Sequence, residues 1–378
     1  VIGHVSYQST YDVLTDLSQQ LNAWLAENPA DRFERLCREQ DVPEAVVSYD
    51  QFGNDVTLGY QLSDTFPNLI QQIADADLSF LYETIDQFGL GLRTRLSLYN
   101  QGTTYNNEPP ELNLDYSQSQ LSGPLNPLDD DQLTRNDVIV TRIGGSSAQQ
   151  TQTSGALNIA EPPVGVGDYQ TTYDISVGSD GSLNDHAGWR LHMGTVDEPR
   201  YPQLSLNLRH SQFTNNVTLM NQALTIDIGS RITIANPPPW MPTDMITQVV
   251  QGYTESMGVW EHNLVLVSSP EDPYHVAVLD DTVLSAADTD GSTLAAPVSA
   301  TATTLLVATT NSTSPLWTTS AGDFPFDISV AGERMTVTNI AGSSSPQTFT
   351  VTRSVNAVVK SQVANTDIRL WQPMILSL

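Results

Sequence analysis

Six histidines, His4, His186, His192, His210, His262 and His275, are the first residues to test for catalysis or metal binding, because imidazole titrates near neutral pH and ligates borderline metals. They are scattered along the chain. His186 and His192 lie six apart, which on a helix turns one about 600° from the other and off any shared face, whereas a helical metal pair needs a spacing of three or four. Asp288-Thr289-Asp290-Gly291-Ser292 resembles the first half of a calcium loop, with alternate oxygens and a glycine for the sharp turn, but no glutamate closes it at the required distance. Gly165-Val166-Gly167 lacks the third glycine and the strand-to-helix context of a phosphate cradle, so it reads as a turn between loop and strand. Neither a Gly-x-Ser-x-Gly elbow nor a Walker lysine is present. Carboxylate pairs for glycoside hydrolysis have many candidates, including Asp129 to Asp131, Glu198, Glu255 and Glu261. With 43 acidic residues, chance pairs are expected, so a hydrolase is the least favoured reading. Trp317, Phe324, Phe326 and Trp371 could stack on sugar faces, and Trp317 and Trp371 are the two candidate glycan contacts, although aromatic residues in small β domains more often fill cores. No catalytic, cofactor-binding or metal-ligating residue is assigned, and no cofactor is expected.

The elements that would carry these residues are mostly strands. At the start, 1–5 looks like the inside of a strand, and Leu14, Leu17, Leu21, Trp24 and Leu25 recur at helical spacing. Asn28-Pro29 offers an N-cap followed by proline at the first helical position, with Asp31 in the first turn. Phe33, Leu36 and Cys37 then continue a helix that Val42-Pro43 stops. A second helix is expected from Asp64 or Thr65, with Leu69, Ile70, Ile73 and Ala74 on one face, followed by a strand over 78–83. The alternation of Leu90, Leu92, Leu96 and Leu98 with Gly91, Arg93, Arg95 and Ser97 predicts one half-buried strand. Further strands are expected at 112–116, 137–143, 203–208, 223–228, 231–235, 248–254 and 260–267, with Gly229-Ser230 as a tight turn. The polar stretch 144–155 reads as a long hairpin tip or loop, and Ser182 as the cap of a short helix containing Leu183, Ala187 and Leu191. From about Pro273 the composition shifts to Ala, Thr and Ser, with strands at 304–309, 327–330, 333–338, 348–352 and 367–371 and a turn at Ala331-Gly332.

At 378 residues, roughly two to four domains are expected, and 39% apolar residues suffice for real interiors. Scattered Pro (22) and Gly (23) point to many turns. No run approaches the roughly 18 apolar residues of a membrane span. A single cysteine, Cys37, excludes an intramolecular disulfide framework and reads as core filler. The formal charge of −28, from 15 basic and 43 acidic residues, disfavours sequence-independent nucleic-acid binding; its simplest meaning is solubility, and a sharper one is an acidic channel along which DNA slides without sticking. The chain opens at Val1 rather than Met, which favours a fragment of a longer polypeptide over a cleaved leader.

Short blocks spread from about Ala30 to Leu378 resemble the C-terminal half of minor tail proteins from long-tailed actinobacterial phages, which are related to the tail or baseplate hub. They include Ala187-Gly188-Trp189-Arg190-Leu191-His192-Met193-Gly194 and its continuation to Pro202, Asn236-Pro237-Pro238-Pro239-Trp240, and Val250-Gln251-Gly252-Tyr253-Thr254-Glu255. Further blocks are Gln71 to Asp77, Leu81-Tyr82-Glu83, Arg95, Ser97 to Gln101, Asn136 to Arg142, Phe324 to Ile328, Gly332 to Thr338 and Ser345 to Asn356. The resemblance implies a mainly β fold with a small α+β module, a barrel-like hub domain and a C-terminal small β domain. In residue terms this is a connecting strand and helix (1–30), an inserted α+β module (31–105), a tube-adjoining β-rich hub domain (106–272) and a small β domain (273–378). It also implies a structural, non-enzymatic component of the virion at the distal end of the tail. There it would form a ring of copies of itself, commonly a trimer, beside distal tail, tape-measure and tip or fibre proteins. A carbohydrate-binding adhesin of the tail is the alternative. The family carries a further N-terminal half that this sequence does not contain.

Overall fold

The computed structural model describes residues 23–48, 56–84, 88–106, 111–128, 133–281, 284–288, 291–309 and 315–378. His4, the predicted strand at 1–5, Leu14, Leu17, Leu21, Asp129 to Asp131, Thr289 and Asp290 lie outside the described residues. The chain is mainly β, with a small α+β portion and barrel-like sheets.

The first described helix, α1 (Pro29–Glu39), starts where the capping chemistry dictates. The Asn28 side chain accepts the Asp31 N–H at 2.7 Å, and Pro29 occupies the first turn. Phe33, Leu36 and Cys37 face inward, and burial pushes the Cys37 thiol up to about 11, helped by the Glu44 charge. β1 (Glu44–Val47), α2 (Phe66–Asp77), β2 (Phe80–Glu83) and β3 (Leu90–Arg93) follow; the strands form a sheet of order β1-β3-β2, and α1 packs on α2. The leucine alternation does not continue as strand beyond Arg93. Instead α3 (Arg95–Leu98) makes one helical turn, because buried Asp77 accepts the Arg95 backbone N–H at 3.0 Å and the Ser97 hydroxyl donates to the Thr94 carbonyl at 2.7 Å. Leu96 and Leu98 are still buried, which is why their periodicity imitates a strand.

β4 (Leu112–Asp115) joins a later sheet, while β5 (Asp137–Arg142), β6 (Ser147–Thr151) and β7 (Gln170–Ile175) form their own, with β5 central. The stretch expected as a long tip thus contains a strand: β6 pairs with β5 from Thr141↔Ser147 to Asp137↔Thr151, and Gly144, at φ +76°, lets the chain turn within four residues. Small polar side chains suit this exposed edge, and Asp137 anchors it by accepting from Gln149 (2.8 Å), Thr151 (3.2 Å) and Gln170 (2.6 Å). Helix α4 (Leu183–Gly194) crosses β5 and β6; Ser182 precedes it without a capping hydrogen bond, and Ser179 instead accepts from Gly181 N–H at 3.1 Å. Leu183 and Ala187 enter the same core as Val138, Val140 and Ile175, together with Phe33, Leu58, Ile73 and Leu92.

β8 (Leu204–Asn207), α5 (Ser211–Thr214), α6 (Val217–Thr225), β9 (Arg231–Ala235), β10 (Ile246–Met257) and β11 (His262–Pro270) complete a five-stranded sheet of order β4-β9-β10-β11-β8. Of the strand expected over 223–228, residues 223–225 are instead the end of α6 and 226–228 form no strand. Asn216 caps that helix by accepting Leu219 N–H at 3.1 Å, and Leu219 and Ala223, four apart, bury one face. Gly229-Ser230 does turn, but from this helix into β9; Gly229 is at φ +78° and donates to Val250 O at 2.8 Å.

The last six strands are β12 (Ser292–Leu294), β13 (Thr304–Thr309), β14 (Phe326–Val330), β15 (Glu333–Ala341), β16 (Gln347–Thr352) and β17 (Ile368–Leu370), in order β12-β13-β16-β15-β14-β17. The two outer strands meet through the Thr293↔Asp367 bridge, so the sheet nearly closes on itself. Inward residues Leu305, Val307, Ile328, Met335, Val337, Phe349 and Ile368 fill it. At its mouth, buried Glu333 forms a bidentate pair with Arg353, both contacts 2.7 Å. Phe349→Ala removes a fully buried ring from this interior. It is expected to destabilise the barrel by about 3–5 kcal/mol, read by chemical denaturation, and a loss under about 1 kcal/mol would contradict the packing described.

Candidate functional site

Three places in the fold gather the residue types that bind or react. The first is a pair of neighbouring clefts on the C-terminal barrel. Trp317 is half-buried: its indole N–H donates to Ser292 Oγ at 2.8 Å, and its ring stacks on Phe326 (centroids 5.8 Å, planes 6° apart) and meets Phe349 edge-on. Phe324 stacks on the other side of the row, 5.6 Å from Phe326. These rings line a cleft of about 700 Å³ with Asp280, Asp281 and Asp323. Trp371 lines an adjoining cleft of about 320 Å³ with Asp327, Arg334 and Thr336, and Phe326 and Leu370 belong to both walls. The Arg334 guanidinium lies 5.4 Å from the Trp371 ring and is held by Asp327 (2.6 Å) and Asp244 (3.0 Å). The structure therefore brings the two tryptophans to one side of the barrel, with Trp317 partly committed to the core.

The second is a polar cluster at the end of β11. Here Pro270 gives way to a 3₁₀ turn, Asp272–Tyr274, which folds Glu271, Asp272 and His275 onto one another. His275 Nε2 is 2.9 Å from Glu271 Oε1 and its Nδ1 is 3.3 Å from Asp272 Oδ1. Arg231 on β9 approaches from the sheet, its Nε 3.5 Å from Glu271 Oε1 and its Nη1 3.4 Å from Glu111. Glu198, on the segment after α4, is the fourth acid of the group. Burial, and then the charge of Asp272, push its carboxyl up to about 9. For His275, burial works to lower the pKa, but the carboxylates of Asp272 and Glu271 outweigh it and raise it to about 10.

Of the remaining described histidines, His192 touches the backbone of this turn and the others lie elsewhere. Buried His186 is driven down to about 4 by desolvation and by the charges of Arg190 and Arg95. His192 Nε2 is 3.1 Å from Pro273 O, His210 caps α5, and His262 pairs with Glu255 at 2.6 Å. Among the carboxylates singled out from sequence, Glu198 joins the cluster, whereas Glu255 and Glu261 lie on the β10–β11 hairpin. Comparing histidines only with one another misses the mixed Glu271-Asp272-x-x-His275 spacing, whose three- and four-residue steps are the sequence signal for this cluster.

The third place is that hairpin. β9 pairs with β10 only over Ile246 to Val249, and β8 pairs with β11 only over Asn263 to Leu266. From Gly252 to Met257, β10 is paired with β11 alone among the described strands. The result is a two-stranded arm whose turn is closed by Gly258 N–H donating to Glu261 O at 2.9 Å. Its tip is apolar and open to solvent: Met257 is 72% exposed, Val259 80% and Trp260 83%. An isolated hairpin is marginally stable in water, and exposed apolar groups gathered on one are the mark of a contact surface.

No protein-family model matches the sequence, and no curated protein matches it. Among solved structures, the chain is similar to the 43 kDa tail protein of prophage MuSo2 from Shewanella oneidensis, at 11% identity and a TM-score of 0.39, over 66% of this chain and 65% of that one. It is also similar to the tail protein from Neisseria meningitidis MC58 (12%, 0.43, 65% and 67%) and to prophage tail protein gp18 from Listeria monocytogenes EGD-e (11%, 0.36, 66% and 67%). The chain spans about two thirds of the length of each of these proteins, from 65% to 67%.

The polar cluster makes stability depend on pH with a definite sign. Glu198 and His275 both hold a proton more tightly in the folded chain than their ordinary values of 4.5 and 6.5 allow. Their contribution is therefore complete below those values and is lost as pH rises through about 9 and about 10. The melting temperature is expected to fall between pH 7 and pH 10, and Glu198→Gln to flatten some of that fall. Calorimetry across the range checks it, and a wild-type profile flat to pH 10 is the contrary result.

Proposed function

We propose that this chain is a structural component of a phage tail, a hub or minor tail protein that connects the tube to the tip by forming a ring of its own copies, most simply a trimer. The observation that carries the reading is the β10–β11 arm, which projects past its sheet with Met257, Val259 and Trp260 exposed at the tip. A repeated contact between such an arm and a different face of the next copy is heterologous, and with the right rotation it closes into a ring. The sequence blocks shared in type with minor tail proteins support the same role, and the acidic surplus suits a wall that does not hold DNA. In this reading the division into 1–30, 31–105, 106–272 and 273–378 marks connector, inserted module, tube-adjoining domain and small β domain. The neighbours are distal tail, tape-measure and tip or fibre proteins at the distal end of the virion tail. The work is done by buried interface rather than by bond making, which calls for more than roughly 2,000 Å² of obligate contact. Mass photometry and negative-stain imaging of the full chain are expected to show a hollow ring. Val259→Ser with Trp260→Ser should shift it to monomer without altering the circular-dichroism spectrum. A wild-type chain that stays monomeric at micromolar concentration sinks the proposal.

A second reading has its own observation. The Trp317–Phe326–Phe324 row and Trp371 line adjoining clefts with carboxylates beside them, which is the chemistry that grips a sugar by stacking and by hydrogen bonds to hydroxyls. In an adhesin of the tail, Trp317 and Trp371 would touch a host glycan. A glycan array is expected to give a signal that Trp371→Ala removes while leaving melting nearly unchanged; uniform silence retires this reading.

A further inference from the structure

The turn after β11 is built like a coordination site, and this holds whatever the chain assembles with. Glu271, Asp272 and His275 each offer one ligand atom, and these atoms lie within 4.8 Å of one another. The Glu271 contact uses His275 Nε2 and the Asp272 contact uses Nδ1, so a single ion takes only one of the two ring nitrogens. The 2.9 Å Nε2–Glu271 contact is of the length that separates neighbouring donors around a cation with bonds of about 2.0–2.2 Å, and Asp272 closes in from within the 4.8 Å span of the three ligand atoms. A second feature is independent of the clustering. The Glu271 side chain is fully buried, and neither carboxylate oxygen receives a properly directed hydrogen bond; Arg231 Nε beside it is likewise unmatched. His275 Nε2 at 2.9 Å and Arg231 Nε at 3.5 Å offset the charge of Glu271 without aiming an N–H at either oxygen, so its lone pairs stay open to a ligand.

We propose that Glu271, Asp272 and His275 bind one divalent transition-metal ion of the zinc class, with Glu198 beside Asp272 placed to orient that ligand or to add a fourth. One imidazole with two carboxylates suits zinc better than calcium or magnesium, which take oxygen donors in larger number. Arg231, itself near Glu111, steadies Glu271 from the outer side, as second partners of metal-bound carboxylates do. Four carboxylates, Glu111, Glu198, Glu271 and Asp272, are set against one guanidinium in the cluster, so a dication with a neutral imidazole reduces the surplus negative charge. The role is structural. Tyr274 within the turn is buried in a cluster with Tyr99 and Trp189, and Asn100 is held to this segment by donating to Val276 O at 3.1 Å. The ion thus fastens the turn by which the five-stranded sheet hands the chain on toward the C-terminal barrel.

The test uses the full chain, stripped by a chelator and dialysed, then given zinc chloride alone. Elemental analysis after desalting is expected to find one equivalent, with a melting temperature raised by several degrees. Cobalt substituted for zinc should give the visible absorption of a low-coordinate site. Asp272→Asn and His275→Gln lie at the more accessible edge of the cluster and avoid the fully buried Glu271. Each should lose at least about ten-fold in zinc affinity, and Glu198→Gln about ten-fold, with the zinc-induced rise in melting temperature abolished when read against each variant's own metal-free value. Substoichiometric zinc with no thermal shift overturns the assignment. So does undiminished binding in the Asp272→Asn/His275→Gln double variant, which would place the ion elsewhere, or preferential binding of calcium at this site.

Discussion

The arrangement of this chain turns on a buried aromatic knot. Tyr99 and Trp189 meet edge to face at 5.2 Å, and Tyr274, Val249, Leu96, Leu98 and Val276 pack into the same cluster, with Ile375 and Leu378 against it. Those residues come from the one-turn helix α3, from α4, from β10, from the turn after β11 and from the C-terminus. Segments more than a hundred residues apart in sequence are therefore oriented by one apolar contact. Arg95 sits alongside, almost without solvent exposure, bonded to the Tyr99 hydroxyl and to the Leu378 carbonyl, with Asp77 at 3.8 Å. Such a charge is tolerable only because its neighbours are fixed, so packing and ion pairing depend on each other here.

What the sequence made legible is what local physics decides. The start of α1 follows from Asn28, Pro29 and Asp31, the start of α2 from the proline-bearing turn after Thr65, and the strands of the last barrel from alternation bounded by Ala331-Gly332 and its like. Two of the misreadings share one cause, which is that burial of a turn or helix face imitates strand periodicity. Leu96 and Leu98 alternate yet sit on a helical turn, because Asp77, far away in the chain, captures the Arg95 N–H. Residues 223–225 look β-like until Asn216 is recognised as a cap. The polar strand β6 carried little apolar signal, since Ala148, which packs on the core, is its one apolar residue and Gln149 and Thr151 serve the Asp137 hydrogen-bond network. Candidate site residues were less legible still. Trp317 and Trp371 could be named, but that their clefts share Phe326 and Leu370 depends on barrel closure; Arg231 and Glu198 reach the turn after β11 only through pairing across a sheet.

Charge is distributed so that few cations are left idle. Arg32 and Arg35 both engage Glu27, Arg142 engages Asp180, Arg334 bridges Asp327 and Asp244, and Arg353 is clamped on Glu333. With 43 acids against 15 bases, each such pairing still leaves acids over, and the surface repels polyanions while the arm and clefts present the apolar groups. Function by contact is consistent with that division of labour.

The closure of the C-terminal barrel has a mechanical side. Its first and last strands touch through little more than the Thr293↔Asp367 bridge and the bonds Leu294 N–H to Thr366 O and Asn365 N–H to Leu294 O, whereas β15 and β16 share a long ladder. The cylinder therefore has a seam. Under tension or thermal breathing, opening is expected to start along that line, where the fewest hydrogen bonds hold, with the ladder of the opposite wall as the hinge.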